Sequence, residues 1–314
     1  MLKAVILNDT TRDLGHIGCC MVINNICSIC KKNNVDVIYK DRICYNNIDE
    51  DEFLSNIKKV DVVLLNGEGT LHDNVGDVWF KKALIAKNLG KKVFLINSVW
   101  QNNNVSKKYL DVFDAISVRE SFSYEDIIKD RSSDVFCVPD MSFYSFPFLE
   151  KKSGNNYNKT IFIDSTIKNI TTLLIMYSYK KQTDMLFMYE KNKNRFKRYW
   201  KNRLLNFYYG KNFEILDSYE KILWSDKVVS GRYHADCLAM MIGVPALGII
   251  SNTWKVDGLF YDADLEEYVL KDIDILEQRI NAFMQTKPVL WKDKSQEYSF
   301  VAEKKIKEFF KLIL

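Results

Sequence analysis

The sequence predicts an α/β fold of two domains, each built on a mainly parallel sheet. Short β-branched, apolar runs alternate with helical stretches along most of the chain, as in layered α/β proteins. The runs are apolar at consecutive positions, as in strands that are buried on both faces. The alternation stops at a polar, turn-rich segment after Pro147 and then restarts. With 314 residues, we expect two α/β domains, residues 1–150 and 151–314, with a cleft between them.

The first half of the chain contains the more regular alternation. Its predicted strands are Ala4–Leu7, Val35–Tyr39, Asp61–Leu65, Lys92–Asn97, Ala115–Val118 and Val135–Val138. Its predicted helices are Gly18–Lys32, Glu50–Lys58, Val78–Leu89 and Ser121–Lys129. Strands that are separated by helices pair in parallel through right-handed crossovers.

The second half repeats the pattern and ends in helices. The predicted strands are Thr160–Ile163, Met185–Met188, Phe213–Leu216, Lys227–Val229 and Ala246–Ile250. The predicted helices are Asn169–Lys181, Lys193–Tyr208, Ser218–Trp224, Tyr233–Ile242, Ile273–Met284 and Glu297–Leu312. The last two helices are amphipathic, so we expect them to pack back on the domains.

Charge and cysteine content exclude some functions. The chain has 45 Lys and Arg against 41 Asp and Glu, too small an excess to indicate nucleic-acid binding. Cys27 and Cys30 have the spacing of a metal or redox pair, but there is no second such pair, and buried helix thiols are the favoured interpretation. We expect no metal.

Met1 is followed directly by a strand, and no apolar run is long enough to span a membrane, which predicts a cytoplasmic protein.

Polar, glycine-containing loops follow the first and third predicted strands. The first loop, Asn8–Gly18, contains Asp13 and His16 and opens a helix, where free backbone N–H groups suit an anion; an ordinary capped loop is equally consistent. The second loop is Asn66-Gly67-Glu68-Gly69-Thr70-Leu71-His72-Asp73. Its two glycines let the backbone approach a ligand while Glu68 presents a carboxylate, and so it favours function over packing.

Two arginines also follow predicted strands. Arg119 ends the fifth strand, where it could clamp a carboxylate or phosphate, or form a surface ion pair. In Ser230-Gly231-Arg232-Tyr233-His234, Gly231 would free the turn, and Arg232 and His234 would stand at a helix N-terminus. This arrangement suits an anionic substrate and proton transfer. All three histidines of the chain lie in these loops, which supports a site because imidazole titrates near neutrality.

The segment Lys191–Lys211 has eight cations and no acid, with aromatic residues at helical spacing. The simpler interpretation is a solvated helix face. The alternative is that the Lys191–Arg203 face contacts anionic lipid head groups or a lipid-linked acceptor, which would place the protein at the inner face of the membrane.

The quoted motifs together resemble the polysaccharide pyruvyl transferase family. They are Asn66–His72, Ser117-Val-Arg119, Val138-Pro-Asp140, and Ser230–His234 followed by Gly243-Val-Pro245. The resemblance covers residues 1 to about 260 and implies a fold like that of GT-B glycosyltransferases, with two Rossmann-like domains around a deep cleft. One departure is the loop Asp13–Gly18, which lacks the Asn-x-Gly-Asp form of many members.

The resemblance implies an enzyme that transfers pyruvyl from phosphoenolpyruvate to a sugar diol of a cell-surface glycan precursor. Arg232 and Arg119 would then hold the donor's anionic groups, and His234 would be an acid or base. Glu68 and His72, with Asp13 or His16, would act on the sugar hydroxyl, beside the backbone of Gly67, Gly69 and Thr70. No cofactor is required beyond the donor substrate.

Two other classes of function are consistent with the same residues. A GT-B glycosyltransferase would place the phosphates of a nucleotide-sugar on the helix that follows Gly231 and would use Asp13, His16 or Glu68 as its base. A carbohydrate-binding scaffold protein would need no catalysis, but binding alone rarely requires so many titratable groups.

Overall fold

A computed structural model of the protein describes residues 1–11, 17–42, 50–144, 160–186, 188, 215–216 and 219–314. The chain divides into two compact units. The first contains the described residues of Met1–Asp13, Cys19–Ser145 and Phe300–Leu314, and the second those of Leu14–Gly18 and Phe146–Ser299. The predicted α/β class, with parallel sheets, is confirmed.

The first unit is built on a six-stranded sheet with the order β2-β1-β3-β4-β5-β6. The strands are β1 (Leu2–Asp9), β2 (Val35–Arg42), β3 (Val62–Glu68), β4 (Lys92–Ser98), β5 (Ala115–Val118) and β6 (Val135–Cys137). Every neighbouring pair is parallel. β3 is buried along its whole length, as its unbroken apolar run Val62–Leu65 predicts for a central strand.

Helices connect these strands and cover the sheet. They are α1 (Ile17–Lys32), α2 (Glu50–Ile57), α3 (Asp77–Asn88) and α4 (Ser121–Ile127), with 3₁₀ turns at Ser106–Val112 and Met141–Phe143. On α3, Phe80 is fully buried, and its ring stacks on Tyr109 with centroids 5.4 Å apart. Aromatic pairs of this kind hold the 3₁₀ turn and α3 in one core.

The second unit repeats the architecture with the strand order β12-β11-β10-β7-β8-β9. The strands are β7 (Thr160–Ser165), β8 (Asp184–Leu186), β9 (Ile215–Leu216), β10 (Lys227–Gly231), β11 (Ala246–Ile249) and β12 (Val269–Leu270). The helices are α5 (Lys168–Lys181), α6 (Tyr233–Met241), α7 (Lys255–Asp262) and α8 (Leu276–Gln285). All neighbouring strands are again parallel.

Some elements differ from the sequence prediction. Helix α7 and strand β12 were not predicted, although Val256, Leu259 and Phe260 have helical spacing and are fully buried. The predicted helix Ser218–Trp224 is a 3₁₀ helix, Tyr219–Trp224, because the segment is too short to favour an α-helix. The predicted helix Lys193–Tyr208 lies outside the described residues.

The last helix, α9 (Trp291–Ile313), begins before the predicted Glu297 because Trp291 is fully buried against Phe260 and Tyr268. Its later residues, Phe300–Leu314, cluster with the first unit, where Phe309 lies 5.5 Å from Phe136 between ring centroids. The sequence assigned all of 151–314 to one domain. Among the described helices, none combines the length and apolar content that crossing a membrane requires.

Candidate functional site

The strand order identifies one edge in each unit where a ligand is expected. Parallel α/β sheets bind ligands at the carboxyl ends of their strands, at the point where the strand order reverses direction. In the first sheet this point lies between β1 and β3, and in the second between β7 and β10. The residues at these strand ends include Glu68 on β3 and Arg232, which directly follows β10. We call them the first edge and the second edge.

At the first edge, three buried asparagines bond to one another across neighbouring strands. The Nδ2 of Asn8 donates to the backbone oxygen of Asn66 at 2.7 Å, and the Nδ2 of Asn97 lies 3.3 Å from the Oδ1 of Asn66. Asn8 and Asn97 have left-handed backbones, with φ of 64° and 55°. Asparagine tolerates this conformation better than most residues, so Asn8 and Asn97 favour the left-handed turns at the ends of β1 and β4.

Glu68 lies beside these asparagines and is only 5% exposed. Its Oε1 accepts a hydrogen bond from the Thr10 hydroxyl at 2.9 Å, and its Oε2 accepts one from the Cys19 thiol at 3.5 Å. Burial, followed by the charge of Glu68, raises the pKa of the Cys19 thiol. Glu68 also has a left-handed backbone, with φ of 42°, a conformation that costs a non-glycine residue about 1–3 kcal/mol and is typical of functional sites.

The glycine before Glu68 is required by a close strand contact. A Cβ on Gly67 would lie 2.8 Å from the Cα of Ser98 on β4. The N–H of Thr70 donates to the backbone oxygen of Gly67 at 3.1 Å, which closes the turn through Gly69. The predicted loop is therefore a tight turn at a strand end, and the binding roles predicted for Gly67, Gly69 and Thr70 stay predictions.

His72 is partly exposed and pairs with its chain neighbour. Its Nδ1 lies 2.8 Å from the Oδ2 of Asp73, and this hydrogen bond lowers the pKa of the Asp73 carboxyl. His72 also forms an isolated parallel bridge with Gln101. A carboxylate on Nδ1 favours the tautomer with hydrogen on Nδ1, so His72 could exchange a proton through Nε2.

Arg119 is buried in the first unit and is paired there. It is 1% exposed, and its Nη1 lies 2.9 Å from the Oδ2 of Asp140, which is fully buried. The next residue, Glu120, caps α4 by accepting from the N–H of Ser123 at 2.9 Å. Of the two roles that the sequence left open, the geometry shows an ion pair, buried rather than at the surface. The role as an anion clamp stays a prediction.

At the second edge, Arg232 is the N-cap residue of α6 and is 8% exposed. Its Nη2 bonds to the Oδ2 of Asp164 at the end of β7, and the Oδ1 of Asp164 accepts from the N–H of Met188 at 3.1 Å. Asp164 fixes the guanidinium in place, because a charge-assisted hydrogen bond in a buried setting is strong and directional. No local sequence pattern identifies Asp164 as part of the site.

Gly231 is needed for a different reason from the one predicted. It is the last residue of β10 and has no left-handed backbone. A Cβ there would lie 2.8 Å from the Cα of Ser165 on β7. Close approach of two strands, rather than freedom of the turn, therefore requires glycine at this position.

His234 lies in the first turn of α6 and is 8% exposed. Its ring lies edge-on to the ring of Tyr233, with centroids 5.4 Å apart. Arg232 and His234 thus stand at one helix N-terminus, as the sequence predicted for the segment. The positive end of a helix dipole at this place favours an anionic ligand.

The segment after β11 was also not predicted as part of the site. Lys255, at the start of α7, is 8% exposed, and its ammonium lies 3.1 Å from the Oδ1 of Asn252. β11 neighbours β10, so this segment follows the strand beside Arg232. The signal was available, because Ser251-Asn252-Thr253 is a polar cluster directly after an apolar run.

Other predicted residues take no part in the described geometry. Asp13 and His16 lie outside the described residues. Cys27 and Cys30 are free thiols on α1, and burial raises the pKa of Cys30 to about 12. Within the described part of the chain, no three His, Cys, Asp or Glu side chains come together as metal ligands would.

Comparison with solved structures defines the class of fold. The chain aligns over its full length with MurG of Acinetobacter baumannii, at 13% identity, 99% coverage of that chain and a TM-score of 0.55. The glycotransferase of kitacinnamycin aligns over the full length at 9% identity, 99% coverage of that chain and a TM-score of 0.57. A functionally uncharacterised protein of Klebsiella pneumoniae covers 86% of this chain and 93% of its own, at 14% identity and a TM-score of 0.54. The fold is therefore GT-B-like, as predicted.

Sequence comparison then identifies the family. The model of the polysaccharide pyruvyl transferase family matches residues 18–253, which include Glu68, Arg119, Arg232 and His234. The chain belongs to this family and is a transferase. No curated protein sequence matches it.

Proposed function

We propose that the protein transfers the pyruvyl group of phosphoenolpyruvate to two hydroxyls of a saccharide, forming a cyclic ketal and releasing phosphate. The observation that carries the proposal is the second edge, where a buried, fixed arginine and a histidine stand at one helix N-terminus. Membership of the polysaccharide pyruvyl transferase family supports the same reaction.

The donor has two anionic groups, a carboxylate and a phosphate. Arg232 can bind one of them, although Asp164 already offsets part of its charge. Lys255 offers a second buried cation after the neighbouring strand, and the N-termini of α6 and α7 add their dipoles. We assign Arg232 and Lys255 to the two anionic groups of the donor.

The chemistry needs one acid and one base. An acid protonates the methylene carbon of phosphoenolpyruvate while a sugar oxygen bonds to the adjacent carbon, and a base takes the proton of that hydroxyl. The carbon–oxygen bond to phosphate then breaks, and the second hydroxyl closes the ketal and gives its proton to the departing phosphate. We assign the acid to His234, because the donor anion site lies on its helix turn.

The base is assigned to the first edge. Glu68 is a carboxylate held by Thr10 and Cys19 among buried amides, and such planar polar groups suit sugar hydroxyls. The family name suggests a polysaccharide as the acceptor class, and we propose a glycan precursor of the cell surface. If that precursor is lipid-linked, the basic segment Lys191–Arg203 would serve contact with an anionic membrane.

A glycosyltransferase reaction is the alternative, and the GT-B-like fold is the observation that favours it. The second edge would then hold the phosphates of a nucleotide-sugar, with Arg232 offsetting their charge. Both reactions need an anion site on α6, so the identity of the bound donor distinguishes them.

Calorimetry tests the proposal directly. We expect the protein to bind phosphoenolpyruvate with micromolar affinity and to show no binding of UDP or CMP. Arg232→Ala should abolish this binding, whereas Arg279→Ala, a partly exposed arginine of the same unit that bonds to the backbone oxygen of Glu267, should leave it unchanged. Binding of UDP or CMP without phosphoenolpyruvate would overturn pyruvyl transfer in favour of glycosyl transfer.

A further inference from the structure

One buried glycine of the second unit lies against the histidine of the second edge. Gly18 is the second residue of α1, and it clusters with the second unit, as His234 does. The three atoms nearest to a Cβ built on Gly18 all belong to His234: its Cβ, Cγ and Nδ1. The distance to the His234 Cβ would be only 2.5 Å, and the two ring atoms would lie closer still. A side chain on residue 18 would therefore overlap the imidazole of His234.

The backbone of Gly18 does not itself require glycine. Among the glycines that the structure describes, a positive φ occurs at Gly76, Gly90 and Gly243, and not at Gly18. Residue 18 is helical, and glycine is less favourable than alanine in a helix because it loses more backbone freedom on folding. The reason that the structure gives for glycine at this position is the space that His234 occupies.

The crowding at Gly18 differs from that at the two strand glycines of the edges. A Cβ on Gly67 or Gly231 would lie close to the Cα of a serine on the neighbouring strand, which is a backbone atom. The nearest atoms to a Cβ on Gly18 form the root of one side chain, that of His234. The root of a side chain cannot turn away as its far end can, because its Cβ is bonded to the backbone. The fit between residue 18 and this one imidazole is therefore direct.

Other contacts hold the backbone of His234 and one side of its ring. The backbone oxygen of Arg232 accepts from the N–H of Ala235 at 2.9 Å, which closes the first turn of α6 around residue 234. The ring of Tyr233, which is 5% exposed, stands at 77° to the imidazole. With the turn closed, the imidazole moves mainly by rotation about its side-chain bonds. Gly18 lies beside the Cβ and Cγ atoms that define this rotation.

We propose that Gly18 is a positioning residue for the acid of the donor site: because it has no side chain, it admits the imidazole of His234 and fixes its rotamer beside Arg232. A displacement of about 1 Å at a reacting group can cost about 10²-fold in rate, so the rotamer of this ring matters for turnover. The proposal rests on the proposed function only for the role of His234 as the acid. The packing of Gly18 on His234 is independent of the reaction.

Thermal unfolding tests the packing without any substrate. Gly18→Ala should lower the Tm by several degrees, because its methyl group overlaps the His234 side chain. His234→Gly removes all three atoms that this methyl group would meet, so Gly18→Ala should leave the Tm unchanged or raise it in that background. Asn24→Ala, at an exposed position of α1, is the control and should have the same effect in both backgrounds.

The comparison of backgrounds decides the packing in either direction. Equal losses of Tm from Gly18→Ala in the wild type and in His234→Gly would overturn it, as would no loss in the wild type. If Gly18→Ala alone does not fold, recovery of folding in the double variant supports the packing, and a double variant that stays unfolded overturns it.

Nuclear magnetic resonance of the imidazole groups tests the rotamer. The chain has three histidines, and His234→Gly identifies the ring signal of His234 by its loss. Gly18→Ala should shift this signal, because the ring must move, and should leave the signal of His72 in the first unit unchanged. An unmoved His234 signal in a folded Gly18→Ala variant overturns the positioning role.

Turnover and donor binding separate positioning from general damage. Gly18→Ala should lower kcat about 10²-fold, while the Kd for phosphoenolpyruvate stays within a few-fold, since the change acts on His234 rather than on Arg232. In the His234→Gly background, Gly18→Ala should cause no further loss of kcat, because both changes act through one imidazole. A parallel loss of kcat and donor affinity, or a further loss in that background, overturns positioning. If the wild type binds no phosphoenolpyruvate, the proposed function fails, and the Tm and resonance comparisons still decide whether Gly18 fixes His234.

Discussion

The two edges both lie at a reversal of strand order in a six-stranded parallel sheet, but they differ in their polar chemistry. At the first edge the polar groups are the amides of Asn8, Asn66 and Asn97 and the carboxylate of Glu68. At the second edge they are an arginine paired with Asp164 and the imidazole of His234. Amides and a carboxylate suit neutral hydroxyls, whereas a fixed cation at a helix N-terminus suits an anion. A reversal of strand order in a parallel sheet thus supports two different binding chemistries, decided by the residues at the strand ends.

The largest expected effect is on turnover at the second edge. His234→Ala should lower kcat about 10²–10⁴-fold, because it removes the acid proposed for the donor. Donor binding should stay within a few-fold of the wild type, since Arg232 and Lys255 remain. Phosphate release measures kcat, and calorimetry measures donor binding. Met241→Leu, on the same helix, controls for a general disturbance of α6. Near-normal turnover of His234→Ala would remove the assignment.

Glu68→Gln is the matching change at the first edge. It keeps the size and one acceptor oxygen but removes the charge, so kcat should fall by about 10²-fold. Donor affinity should not change, because the donor cations belong to the second edge. The exposed Glu125→Gln serves as the control on the same unit. A weaker donor affinity in Glu68→Gln with unchanged kcat would contradict the division between the two edges.

Local sequence patterns predicted the strands and the polar loops but not the pairings inside the site. Apart from α7 and β12 of the second unit, the order of elements followed from apolar runs and glycine-containing turns, since these signals are local. Asp164 and Arg232 are 68 residues apart, and Thr10 and Glu68 are 58 apart. Only the sheet order brings such partners together, and no spacing in the sequence encodes it.

Burial was the other quantity that the sequence did not provide. Arg119 was predicted as an anion clamp or a surface ion pair, yet it forms a buried pair with Asp140. In the sequence, Asp236 resembles any acidic residue on a helix, and only its complete burial makes it unusual. The sequence does show that three asparagines each follow an apolar run: Asn8, Asn66 and Asn97. Their hydrogen bonds to one another depend on the register of β1, β3 and β4, which the sequence does not show.

The smallest expected effect distinguishes the edges through a matched pair of glycines. Alanine at Gly67 or Gly231 would place a Cβ 2.8 Å from the Cα of a serine on the neighbouring strand, Ser98 or Ser165. Each change should therefore lower the free energy of unfolding by about 1–3 kcal/mol, measured by urea denaturation. Gly90→Ala, where a Cβ meets no atom within 4 Å, separates this crowding from backbone strain.

Beyond stability, Gly231→Ala should also weaken donor binding, because Gly231 precedes Arg232, whereas Gly67→Ala should lower only turnover. Loss of donor affinity in both variants would show that the edges are not independent, and the contrast in their chemistry would then not correspond to a division of function.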